Sequence, residues 1–164
     1  VNREIVILQA ADLDALLELE RVSFASEDRW SAQSWRAELA DSESAAARLR
    51  HHVIGWREPG GQLIACAGFS VIAEDAELLR IMTHPQHRRR GLAAMLLNAG
   101  LEWATVQQAA RMLLEVEADN LPAIGLYESF SFVQLARRSD YYGAGRDALI
   151  LAREFNFEGS GEDG

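Results

Sequence analysis

The stretch IMTHPQHRRRGLAAMLL, residues 81–97, changes character in its middle, and that change decides the fold. Its start closes an apolar, strand-like run over 76–83. Its end opens GLAAMLLNAGLEWATVQQ, 91–108, where Leu92, Leu96, Ala99 and Trp103 recur at helical spacing. Between the two lie Arg88, Arg89, Arg90 and Gly91. Glycine allows close backbone approach, and Ala93 keeps a first-turn position small. The first amides of a helix have no intrahelical partners and lie at the positive end of its dipole, so they can hold an anion such as a pyrophosphate. An arginine run on a solvated loop before an ordinary helix is the other reading. The spacing fits neither a Walker loop nor G-x-G-x-x-G, which counts against nucleoside triphosphates and dinucleotides.

Upstream, apolar runs over 46–56 and 63–73 flank a loop containing EPGG, a hairpin signal. With 76–83 they form three successive strands, an antiparallel meander. Before them stand a short strand, 5–8, a helix that Asp12 caps, with Leu13, Leu16, Leu17 and Val22, and a second helix capped by Ser31 that carries Trp35 and Leu39. DSES, 41–44, reads as a loop. Downstream, MLLEV is a strand and LPAIGLYESF a helix, with Asn120 as N-cap and Pro122 in its first turn. FVQLARRSDYY and DALILAREF close the chain as strands around GAGR. The expected order is β-α-α-β-β-β-α-β-α-β-β, an α/β (α+β mixed) fold in which helices cover a mixed sheet.

A length of 164 residues suits one domain, expected over 1–156, with a polar, glycine-rich, disordered tail at 157–164. No apolar run approaches the roughly 20 residues that cross a bilayer. The one cysteine, Cys66, lies in LIACAGF and reads as a small core residue of an intracellular, cytoplasmic protein. A net charge of -9 argues against direct nucleic-acid binding and favours cationic partners. The four histidines make no metal-ligand pattern, and no metal is expected.

MLLEVEADN, 112–120, places Glu115 within an apolar strand, where burying an unpaired charge is costly. On pattern alone Glu115 is either a functional carboxylate or a solvent-facing residue of an edge strand. Tyr127 in the following helix is either functional or core filling.

Three segments carry a specific resemblance: MTHPQHRRRGLAAMLL, LLEVEADNLPAIGLYESFSF and RRSDYYGAGRDALIL. Together they resemble the GNAT acyl-CoA-dependent N-acetyltransferases, and within these the ribosomal-protein-alanine N-acetyltransferase (RimI) family. The resemblance implies a GNAT fold: a mostly antiparallel sheet of about seven strands, splayed between the fourth and fifth, with about four helices. It implies acetyl-CoA as co-substrate, its pyrophosphate on Arg89, Arg90, Gly91, Leu92, Ala93 and Ala94. The pantetheine would bond the backbone of Ile81, Met82 and Thr83, and Asn120 would contact the cofactor near the mouth of the splay. Glu115 would accept the amine proton, directly or through water, and Tyr127 would protonate the departing thiolate. Trp30, Tyr141 and Tyr142 would line the acceptor channel.

The implied activity is direct acetyl transfer to the N-terminal alanine of a basic, small-subunit ribosomal protein. The enzyme would be a monomer or weak dimer with no membrane contact. Other protein N-termini, lysines or small amines are the alternative acceptors, and an acyl-CoA-binding module without turnover is a third reading. The chain departs from the family pattern at four places. Glu117 stands where relatives often carry arginine and reads as a solvated rim carboxylate. Ser131 replaces the usual glycine after the tyrosine-bearing helix, and Arg80 and Thr83 are uncommon choices in the cofactor strand.

Overall fold

The computed structural model describes residues 4–40 and 49–156. The chain runs β1 (Ile5–Ile7), α1 (Leu13–Ser23), α2 (Ala32–Leu39), β2 (Leu49–Arg57), β3 (Leu63–Ile72), β4 (Asp75–Thr83), α3 (Leu92–Val106), β5 (Arg111–Glu117), α4 (Leu121–Ser129), β6 (Val133–Arg138) and β7 (Ala148–Glu154). This is the expected order. The DSES loop, the first residues of the 46–56 run and the 157–164 tail lie outside the described residues.

The strands form one sheet in the order β1-β2-β3-β4-β5-β7-β6. Every pairing is antiparallel except that of β4 with β5. Antiparallel neighbours need only turns, whereas the parallel β4–β5 pair needs a crossover, which α3 supplies. The β3–β4 register holds Gly68 opposite Arg80 but Phe69 opposite Leu78, so Leu79 is the extra residue of a β-bulge. The β4–β5 ladder runs from Asp75↔Arg111 to Leu78↔Leu114 and ends there. β5 continues alongside β7 to Glu117↔Ala148. The two central strands therefore part at the bulge, the splay that the resemblance implied.

Alternation of side chains assigns the two faces. Phe69, Leu78, Met112, Leu114 and Val116 belong to a core under α3 and α4 with Leu96, Leu97 and Tyr127. Val53, Cys66 and Met82 point to the other face and pack with Leu16 and Leu19 of α1 and Trp35 of α2. Each fully buried leucine contributes roughly 1.5–3 kcal/mol. Cys66 is a core residue as expected, and burial pushes its thiol pKa well up.

Two helix details differ from the sequence reading. The buried stripe of α3 is Leu92, Leu96, Leu97, Gly100, Leu101 and Ala104, and Trp103 sits beside it. Trp103 instead stacks on His52 of β2, with ring centroids 4.8 Å apart. Gly100 faces Phe69, whose ring would lie 2.0 Å from a Cβ placed there, so the absence of a side chain lets α3 settle on β3. Asp12 stands at the N-cap of α1 without bonding the helix. Its carboxylate accepts from the Gln9 amide at 2.8 Å and pairs with Arg57, closing the turn before the helix. Ser31 caps α2 as expected, accepting from the Ser34 amide at 3.1 Å. No described helix is long and apolar enough to cross a membrane.

Candidate active site

Where β4 and β5 part, a cleft of about 720 Å³ opens. Its walls come from four places: the α1–α2 connection (Phe24, Trp30), β4 (Glu77, Arg80), β5 (Glu115, Glu117) with α4 (Asn120, Tyr127), and the β6–β7 connection (Tyr141, Tyr142).

Leu114 and Val116 of β5 are buried beneath α3 and α4, so Glu115 and Glu117 point to the opposite face. The expectation of a carboxylate in a poorly solvated strand core is corrected here. The Glu115 side chain is 30% exposed and lies 3.6 Å from the Arg138 guanidinium of β6. The nearby Glu115 carboxylate raises the Tyr141 pKa. Glu77 of β4 joins the same group and was not singled out in the sequence. Although much of the residue is open to solvent, its carboxyl faces the cleft, and desolvation, followed by the charges of Glu115 and Glu38, raises its pKa. The signal was available in β4: the parallel pairing sets Glu77 opposite Leu113, two residues from Glu115.

Tyr127 approaches from the other side of the splay. It is buried on α4, and burial first, then Tyr142, drives its pKa above the ordinary phenol value, so it stays protonated at neutral pH. The end of α4 fixes it. The Phe132 amide donates to the Tyr127 carbonyl at 3.1 Å and the Ser131 amide to the Glu128 carbonyl at 3.0 Å. Both bonds make a Schellman motif, and the accompanying apolar contact is Phe132 against the Tyr127 ring, 6.0 Å between centroids. Ser131 has φ 66°, the left-handed position that the sequence had flagged. Asn120 caps α4, accepting from the Ala123 amide at 3.3 Å, while lining the cleft.

Trp30, Tyr141 and Tyr142 come together at the cleft. The two tyrosine rings meet edge to face at 5.0 Å, and burial, then Glu115, pushes the Tyr142 pKa up to about 12. Trp30 packs on Trp35 at 4.9 Å.

The floor is a buried ion pair that sequence reasoning missed. Arg80 grips Glu20 of α1 through Nε at 2.9 Å and Nη2 at 2.7 Å, a fork that matches the carboxylate. Trp35 Nε1 donates to Glu20 at 3.2 Å, the Trp30 amide at 3.3 Å, and Arg80 stacks 3.7 Å over Phe24. Glu20 is 1% exposed, so these donors are what make its charge tolerable. Nothing local marks Glu20, because its partner is 60 residues away.

The turn into α3 lies along the same edge. Arg89 (φ 64°) and Gly91 (φ 74°) are left-handed, and no side chain caps the helix. The Gly91 carbonyl accepts the Met95 amide at 3.0 Å, leaving the Leu92, Ala93 and Ala94 amides as first-turn donors. A Cβ at Gly91 would meet nothing within 4 Å, so glycine is needed for φ and the space in front is open. Arg90 is engaged by His87 at 3.0 Å and by Glu58 at 3.9 Å. Among the described residues Arg88 and Arg89 form no ion pair. Ile81, Met82 and Thr83 pair with β3 on one side, and past Leu78 no strand among the described residues pairs with β4 on the other. A pyrophosphate followed by an extended, amide-bearing arm fits this cradle and edge. Among the described residues no cluster of three or more His, Cys, Asp or Glu could hold a metal ion.

A family model described as the acetyltransferase (GNAT) family matches residues 13–132. The chain belongs to the GNAT acetyltransferase family. This GNAT acetyltransferase is 31% identical over 145 residues to a putative [ribosomal protein bS18]-alanine N-acetyltransferase of Bacillus subtilis, covering 88% of this chain and 90% of that one. It is 31% identical over 152 residues to the N-alpha-acetyltransferase RimI of Mycobacterium tuberculosis, covering 90% and 89%. Among solved structures, the ribosomal-protein-S18-alanine N-acetyltransferase of Escherichia coli superposes with a TM-score of 0.83 at 27% identity, over 99% of this chain and 98% of that one. The seven-stranded sheet with its single parallel pair is the GNAT fold.

Proposed function

We propose that this enzyme transfers acetyl from acetyl-CoA to the α-amino group of a ribosomal small-subunit protein that begins with alanine, by direct attack in a ternary complex in the cytoplasm. The observation that carries the reading is the convergence of Glu115, from β5, and Tyr127, from α4, on one cleft whose rim is the unpaired edge of β4. The names of the relatives at 31% identity support the acceptor class. So does charge: Glu27, Glu77 and Glu115 line the cleft against Arg29, while Arg80 is paired with Glu20, which suits a basic peptide.

The donor supplies an activated thioester. The Arg89–Gly91 turn and the first amides of α3 hold its diphosphate, and the 81–83 backbone aligns its arm. The acceptor amine must be neutral to attack. An α-amine with a pKa of about 7.7–8.0 is neutral in roughly a tenth of molecules at pH 7, whereas a lysine is so in well under a thousandth. Glu115 takes the proton, and Glu77 beside it adds negative field at the same point. Attack forms the amide bond and breaks the carbon–sulfur bond. The Tyr127 phenol, kept protonated by burial, gives its proton to the departing sulfur. No acyl-enzyme is needed, and buried Cys66 takes no part.

The test incubates the protein with acetyl-CoA and a panel of short peptides and amines while free thiol is followed. Transfer confined to alanine-starting basic peptides supports the proposal. Preference for lysine or polyamines assigns another acceptor, and cofactor binding without thiol release refutes turnover.

A further inference from the structure

The acceptor side of the cleft is built from segments far apart in sequence. One is the turn around Asp28, which leads to Trp30. The other is the β6–β7 connection with Tyr141 and Tyr142. Arg146 joins them. Its Nη2 donates to Asp28 Oδ1 at 3.1 Å, across 118 positions of sequence. Nη2 also donates to Glu117 Oε1, and Nε reaches Glu117 Oε2 at 3.3 Å, so the guanidinium grips the β5 carboxylate with both arms. Nη1 donates to the Tyr142 carbonyl at 3.2 Å, a bond within the β6–β7 connection itself. All three carriers are only about one-third exposed, Arg146 at 34%, Asp28 at 35% and Glu117 at 27%.

Ordinary surface pairs of this chain look different. Arg21 and Glu18 lie three residues apart on one helix with both side chains about 60% exposed, and such pairs are worth little. Arg146 bridges three segments with four hydrogen bonds and shares its one positive charge between Glu117 and Asp28. The solvated rim carboxylate expected from the sequence is instead an ion-paired strut. Glu115 and Glu117 share a face about 7 Å apart, two strand residues. A free Glu117 would compete with Glu115 for the acceptor ammonium and hold it away from the thioester.

We infer that Arg146 is a positioning residue that sets the width and the charge of the acceptor mouth, latching the β6–β7 connection to Asp28 and silencing Glu117. The inference rests on the acceptor-site reading above and adds a specificity element to it. The donor side, at the α3 turn, is untouched by the latch.

The full chain is compared with Arg146→Ala and Arg146→Lys, using acetyl-CoA and an alanine-starting basic peptide. Arg146→Ala is expected to raise the peptide KM about tenfold while the acetyl-CoA KM stays within about twofold. Lysine keeps the charge but not the fork and falls between. Equal rises in both KM values or an unchanged peptide KM would overturn the latch. Amide hydrogen exchange, run without acceptor, reads it independently of turnover. Arg146→Ala should expose 24–30 and 139–147 together and leave α3 unaltered. If the wild type acetylates no peptide, the acceptor reading fails, and the exchange result alone decides. Unchanged protection of both segments then refutes the latch.

Discussion

Replacing Ser131 by glycine is expected to stabilise the folded chain by about 0.5–1 kcal/mol. Ser131 is the left-handed residue of the Schellman motif that ends α4, with φ 66°. A side chain in that conformation costs about 1–2 kcal/mol, because Cβ crowds the following carbonyl. Glycine removes the clash but has more freedom to lose on folding, which takes back about 0.5–1 kcal/mol. Ser131 is exposed and its hydroxyl makes no hydrogen bond among the described residues, so nothing else is lost. For a domain of this size the gain corresponds to a rise of about 1–4 °C in Tm. Thermal unfolding and a urea titration with unchanged slope would read it. Ser131→Ala keeps the strained backbone and should leave the midpoint near the wild-type value. A glycine variant no more stable than the alanine variant would refute the reasoning. Turnover should stay level, since the cap bonds that hold Tyr127 are backbone bonds and survive the change.

Glu115→Gln should lower kcat about a hundredfold and Tyr127→Phe about ten- to a hundredfold, both with native circular dichroism; wild-type rates in both would end the proton-transfer assignment. Gly100→Ala should cost about 1–3 kcal/mol or more, because the new methyl meets Phe69, and Phe69→Leu in the same chain should recover part of it in urea titrations. His52 is stacked on Trp103, and burial lowers its pKa from 6.5, so the unfolded chain takes up its proton first. Its stabilisation is complete above the unfolded value and lost as pH falls through the folded one. Unfolding midpoints at pH 7.5 and 5 should therefore differ less in His52→Phe than in wild type, and an equal difference refutes the assignment.

What the sequence disclosed was local chemistry. Ser31 and Asn120 announce helix starts because a cap acts within three residues, and both accept the bonds expected. MLLEV announced a strand, but its apolar run hid the alternation that buries Met112, Leu114 and Val116 and turns Glu115 and Glu117 to the other face. Gly91 and Ser131 marked backbone turns whose positive φ the structure displays. What stayed hidden depends on pairings across the sheet. Glu20 resembles any helix carboxylate until Arg80 arrives from β4, and Glu117 resembles a rim charge until Arg146 arrives from the β6–β7 connection. Glu77 gains meaning only because a parallel crossover sets β5 next to β4. The Leu79 bulge has no composition signal, since one additional residue in an apolar run leaves the run apolar.

That bulge couples the stability of the fold to the donor it holds. Pairing of β4 with β5 stops after four residue pairs, so the centre of the sheet is less cross-linked than the β3–β4 and β5–β7 junctions that flank it. On the proposed donor site, an acyl-CoA arm lying along that edge supplies part of the missing ladder. Free donor at a hundred times its Kd would add about 2.7 kcal/mol to folding. Loss of the donor then does more than stop the reaction: it removes that part of the folding stability.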